Sequence, residues 1–201
     1  MTYSDFSLET IDTLLGLNIQ RIRLFPTVVP LALPPELRTV LDMGKELALI
    51  SEKARSEFIV APFLLSLRLL SHNRIAIYSG QRLDVDAARG LVGECDFILT
   101  DTPPLPIVQA PIVTILEAKK NDIENGLGQC AAQMVGAAFL NQRKDHTREA
   151  IFGCVTTGET WQFLRLTDTT LAIDSQRYYI DQAETILGIL AAIVALPLPE
   201  R

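Results

Sequence analysis

The chain has few of the residues that build metal cages or covalent staples. In 201 residues it holds three cysteines and two histidines. Cys95, Cys130 and Cys154 stand far apart, with no CxxC pair and no Cys/His run of zinc-ligand spacing, which argues against a structural zinc module. An odd number of cysteines behind a polar, acidic start (MTYSDFSLET) that does not read as an export signal points to a reducing cytoplasm. Long hydrophobic runs are missing too. The most apolar stretch, residues 186–196, is too short to span a bilayer and runs into Pro197, so the expectation is a packing helix and no membrane. Positive charge is not in excess. The net charge of −6 argues against coating nucleic acid through overall charge, while leaving room for a local basic groove beside an acidic site. No repeat or low-complexity segment occurs.

What is present is a globular composition, 48% hydrophobic and 21% charged, in a length that suits one domain with a small extension. Residues 1–50 are hard to place beyond a short amphipathic helix around residues 8–15. A stretch with four prolines at 26–35 should be extended and irregular. From Ser51, the sequence SEKARSEFIVAPFLLSLRLL carries apolar residues at helical spacing, with Ser51 as a cap, Glu52 in the first turn and Pro62 set to kink or divide the helix. RIAIYSG, closed by Gly80, then ECDFILTD and PIVTILEAK read as three strands. LGQCAAQMVGAAFLNQ, following Asn125-Gly126, has a helical period. EAIFGCVTTGETWQFLRL reads as a hairpin joined at Thr157-Gly158, TLAIDSQRYYI adds a strand, and a helix over 182–195 closes the chain. Strands in succession, then a helix and more strands, imply an α/β fold with a mixed sheet flanked by helices.

The chemistry concentrates where the third strand turns charged, at Glu117-Ala118-Lys119. Side chains alternate faces along a strand, so Glu117 and Lys119 point the same way and Ala118 points into the opposite layer. Asp96 lies on the preceding strand, with twenty residues between it and Glu117. If the two strands pair, both carboxylates reach one edge. With the Ala118 carbonyl they make a hard-oxygen site suited to Mg²⁺ or Mn²⁺. An amine beside such a site positions or helps deprotonate an attacking water and stabilises charge on a phosphate. One residue more or less would put the amine on the wrong face.

Asp96, twenty residues, then Glu117-Ala118-Lys119 resembles the PD-(D/E)xK nuclease superfamily, and within it the N-terminal nuclease domains of type I restriction R subunits and their stand-alone relatives. Cys95 stands where the family name has proline. In such proteins a helix before the sheet bears a glutamate at the active-site edge, and Glu52, Arg55, Ile59, Pro62 and Leu64 match that context. The aspartate strand often follows a glycine, as in GECDFIL. The helix after the lysine strand often begins with a glutamine near the site, where Gln129 and Gln133 stand. The likeness covers residues 51–166.

It implies a restriction-endonuclease-like core over residues 51–201, with residues 1–50 as an extension packed on it. It also implies a Mg²⁺-dependent (or Mn²⁺-dependent) endonuclease that hydrolyses DNA phosphodiester bonds. Asp96, Glu117, Lys119, Glu52 and Gln129 would be the catalytic set, with Asp96, Glu117 and Ala118 as the metal ligands. The implied partner is nucleic acid, DNA foremost. A homodimer is a further expectation, with the helix over 182–195 as candidate interface. The alternative is a non-cutting binding or regulatory protein on the same fold, because fold alone does not establish activity. A weaker one is a protein that recognises a partner through its apolar C-terminal helix.

Blander readings stand beside these. Glu52 and Glu57, five positions apart, face different parts of a helix, so only one can reach the metal edge; family spacing favours Glu52, while the helix dipole alone would favour an acid there. Asp84 and Asp86 read as turn residues, His72 and His146 as surface residues, and Trp161 as a hairpin packing residue. Arg143, Lys144 and Arg148 read as a solvated helix end or as phosphate contacts. Lys120 reads as a solvated neighbour of the site or a phosphate contact.

Overall fold

A computed structural model describes residues 1–47, 51–119, 122–146 and 148–195. Three prolines at residues 26, 30 and 34 hold the segment between β1 (Asn18–Ile22) and α2 (Pro35–Leu47) extended, and Pro35 opens α2. The helical stretch from Ser51 is capped as its sequence implies: Ser51 Oγ accepts the amide of Ala54 at 3.1 Å. It runs as α3 (Glu52–Arg55), a π-helical turn (Ser56–Val60) and α4 (Ala61–Leu70). The irregular turn lies just before Pro62, where the missing amide removes an ordinary helical bond. A first helix, α1 (Leu8–Leu15), matches the amphipathic segment near the N-terminus.

Eight strands form one mixed sheet in the order β1-β7-β6-β5-β4-β3-β2, with β8 pairing β6. They are β2 (Ala76–Arg82), β3 (Glu94–Thr100), β4 (Ile112–Ala118), β5 (Ile151–Thr156), β6 (Thr160–Thr167), β7 (Thr170–Asp174) and β8 (Tyr178–Tyr179). β2, β3 and β4 form an antiparallel meander. α5 (Glu124–Arg143) then carries the chain over to β5, which lies parallel to β4, as a crossover helix allows. β1, for which no strand was expected, pairs in parallel with β7; its five residues are all exposed, so no alternation of apolar residues announces it.

Two apolar layers sandwich the sheet. α5, α1 and the N-terminal turn (Tyr3–Asp5) cover one face, with Tyr3, Phe6, Ile11, Ile98, Ile115, Cys130 and Met134 packed together. α2, α4 and α6 (Ala183–Ile193) cover the other, around Phe63, Leu67, Leu116, Trp161, Phe163 and Leu187. Trp161 sits edge-on to Phe63, ring centroids 5.2 Å apart, and its indole N–H reaches Gly158 O at 3.1 Å. The three cysteines are buried and free. His72 and His146 are exposed, and Asp84 and Asp86 accept loop amides. Among the described residues, no helix is long and apolar enough to cross a membrane.

Three expectations need correcting. Gly80 does not close β2; it lies inside the strand at φ 62°. Asn125-Gly126 does not precede α5 but falls in its first turn, because the helix opens at Glu124, whose amide donates to the Asp122 side chain at 2.9 Å. α6 is no free interface: Ile186, Leu187, Gly188, Ile189, Leu190, Ala191 and Ile193 are all buried, since the stretch is apolar all round and fills the core. Exposed large apolar side chains lie instead on α2 (Val40, Met43, Leu47) and α4 (Leu65, Leu69).

Candidate active site at the β3–β4 rim

The site is built where β3 and β4 part. Their ladder begins at the pair Phe97–Leu116, so Asp96 and Glu117 are the first residues beyond it on neighbouring strands. Without a ladder partner, the Ala118 amide donates to Asp96 Oδ2 at 2.7 Å. Gly80 stands opposite Asp96 on β2, between the pairs Ser79–Phe97 and Gln81–Cys95. Its positive φ accompanies a break in alternation: Cys95 packs on the α5 side while Phe97 packs on the α4 side. A regular strand would place both on one face. The break lets Asp96 and Phe97 line the same cleft.

Glu117 is held from the α5 side. Lys119 Nζ donates to its Oε1 at 2.8 Å, Gln129 Nε2 to the same oxygen at 2.6 Å, and Gln133 Nε2 to Oε2 at 3.0 Å. Lys119 also donates to Gln129 Oε1 at 3.0 Å, which closes a three-residue ring. Gln129 and Gln133 are one turn apart, so both glutamines that the sequence left open reach the same carboxylate. The helix comes this close because of Gly126: a Cβ there would lie 2.5 Å from Val155 Cγ1 and 3.1 Å from Lys119 Cγ. The backbone of Lys119 is fixed as well, its amide donating to Thr156 O at 2.7 Å.

On the other side the rim opens into a cleft of about 840 Å³. Glu52, Glu57, Glu94 and Asp96 give it four carboxylates, Lys53 one amine, and Leu64, Leu65, Ile77 and Phe97 its apolar wall. At the rim Glu117 is bonded toward α5 while Asp96 lines the cleft, and the Ala118 amide and the charge of Lys119 link the two.

Electrostatics ties the flanks together. Glu117 is 3% exposed, and burial, reinforced by the charge of Asp96, pushes its carboxyl up to about 7. Burial also raises Asp96; the Ala118 amide and Lys119 oppose this, while Glu52 and Glu94 add to it. Burial alone would lower Lys119, but Glu117, Glu52 and Asp96 more than offset it, so its amine stays charged. Glu52 thus acts on both Asp96 and Lys119. Glu57 pairs instead with Lys53 at 3.8 Å on the exposed helix face. Lys120 lies outside the described residues.

Glu94 escaped the sequence reading. Its position two residues before Asp96 was the available signal, but strand alternation offers no way to tell a cleft from open solvent. The basic residues downstream make local contacts: Arg143 donates to Val85 O and Arg148 to Asp101. Lys144 is exposed.

No protein-family model and no curated protein matches the chain.

Proposed function

We propose that this chain is a metal-dependent nuclease of the restriction-endonuclease-like kind, hydrolysing phosphodiester bonds in DNA. The observation that carries the reading is the Glu117–Lys119–Gln129 ring joined to Asp96 at a strand rim, with Glu52 facing the same cleft. Each is a residue that the family resemblance assigns to chemistry. Residues distant in sequence, on a helix before the sheet, two strands and a helix after them, supply one site.

The donor set fits a hard divalent cation. Asp96, Glu117 and the carbonyl of Ala118 would hold Mg²⁺ or Mn²⁺. Among the described residues no group of three or more His, Cys, Asp or Glu side chains is arranged as a metal cage. Mg²⁺ commonly takes one or two carboxylates and keeps several waters. The charge of Asp96 raises the proton affinity of Glu117, and a cation between them would relieve that repulsion. When bound, the ion would supply Lewis-acid stabilisation of the phosphate and activation of water.

The remaining work belongs to the chain. Lys119, charged and held by Glu117 and Gln129, is positioned to stabilise negative charge growing on the phosphate oxygens. Gln129 and Gln133 fix the Glu117 carboxylate. Asp96, with Oδ2 bonded to the Ala118 amide, would offer its other oxygen to the ion. The three buried thiols suit a reducing cytoplasm.

The acidic cleft favours one rival. Four carboxylates against one lysine repel a polyanion unless a cation is bound, as expected of a non-cutting protein on the same fold. Titration calorimetry with Mg²⁺ and Mn²⁺ decides between them. Uptake that is lost in Asp96→Asn, together with DNA cleavage by the parent, supports the nuclease. No uptake, or uptake unchanged in the variant, supports the rival.

A further inference from the structure

Among the described residues, Arg55 is a buried guanidinium without a carboxylate partner. It is 8% exposed, and its one hydrogen bond among the described residues is from Nη1 to Thr157 O at 2.7 Å. Its Nε is buried with no partner. A cation taken out of water this far is costly unless an anion joins it. Arg55 also lines a hollow of about 270 Å³ with Lys45, Ile59, Thr157, Gly158, Glu159 and Ile180. Glu159 is exposed, and the Arg55 guanidinium donates to Thr157 O rather than to it. Among the described residues, Lys45 carries only a surface pair to Asp42 at 3.4 Å.

The hollow adjoins the rim. Arg55 is one helical turn from Glu52, whose side chain lines the catalytic cleft. Thr157 follows Thr156, the residue that pairs with Ala118 and accepts the Lys119 amide. Resting on the nuclease reading for its substrate, we infer that Arg55 and Lys45 form a phosphate subsite. It would hold a phosphate of the bound nucleic-acid strand beside the one attacked, with the attached sugar against Ile59 and Ile180. A guanidinium fork matches two phosphate oxygens, and Lys45 adds a point charge at the mouth. The apolar wall suits a ligand with an uncharged portion better than it suits a bare ion.

The chain carries its own reporter. Trp161 is its one tryptophan, and it is bonded to Gly158 in the lining of the hollow. With metal removed by EDTA, inorganic phosphate, a deoxynucleoside monophosphate and a short single-stranded oligonucleotide are each titrated against the full chain, with Trp161 emission as readout. The expected result is saturable binding, tightest for the oligonucleotide and weakened about tenfold in Arg55→Gln. Arg55→Lys, which keeps the charge and can still reach Thr157, guards against misfolding and should bind between the two.

No response to any of the three ligands overturns the subsite, as does equal affinity in parent and Arg55→Gln with both folded. Inorganic phosphate binding as tightly as the oligonucleotide overturns the assignment to a strand. Because no cleavage is read, the two ideas fail separately: a chain that binds through Arg55 yet never cuts with Mg²⁺ or Mn²⁺ loses the nuclease and keeps the subsite.

Discussion

The two flanks of the rim are built on opposite principles. On the α5 side Glu117 is nearly sealed from water and three side chains donate to it, with Gln133 Oε1 the one buried atom of that network left without a partner among the described residues. On the cleft side Asp96, Glu52 and Glu94 face open volume with too little positive charge to balance them. A closed network fixes geometry, since each removed partner leaves a buried group unsatisfied. An open acidic surface is where a ligand must bring the missing charge. The difference teaches that the fold separates a bonded carboxylate from exposed ones across neighbouring strands, with the charge of Lys119 felt by both Glu117 and Asp96.

The sharpest way to break that division is at its centre. Lys119→Ala, or Asp96→Ala on the open flank, should lower metal-dependent DNA cleavage by about 100-fold or more, as gel assays on folded protein would show. Full cutting by either variant removes the assignment.

The buried flank should also govern pH dependence. Glu117 has a folded value of about 7 against an ordinary 4.5. Between these the native chain holds a proton that the unfolded chain has released. Its stabilising share is therefore complete below 4.5 and is lost as pH rises through about 7. Denaturant unfolding should show stability falling over that window, and Glu117→Gln should flatten the fall. Metal uptake should run the opposite way, weakening about tenfold for each unit below 7, because the cation competes with that proton.

Within the closed flank, Gln133→Ala should cost about 1–3 kcal/mol of stability by stranding Glu117 Oε2, and partly exposed Gln129 less. Urea midpoints would rank them. Equal, negligible losses would mean that the network holds nothing in place. On the open flank the effects should be smaller and confined to the ligand. Glu52→Gln should weaken Mn²⁺ binding about tenfold with unchanged stability, and Glu57→Gln should leave it unchanged. The reverse ranking in calorimetry would exchange their roles.

Much of this was legible in the residues. The Glu117-x-Lys119 spacing places both side chains on one face by strand geometry alone, and their hydrogen bond follows. Ser51, the helix near residues 8–15 and the hairpin around Gly158 announced themselves through local chemistry. β1 did not, because an exposed edge strand carries no alternating pattern. The fate of α6 was half legible: its apolar run reads as a packing helix, as found, but an apolar helix reads the same whether it meets a partner or the core of its own fold.

Local sequence determined which residues could do chemistry, since residue type, spacing and strand period are properties of the chain itself. Tertiary structure alone decided which of them meet. Gly80 opposite Asp96 turned a carboxylate toward the cleft, and Gly126 let α5 close over Glu117. The physical reason is that burial and charge pairing, which set the proton affinity of Glu117 and leave Arg55 in want of an anion, depend on neighbours that the order of residues does not name.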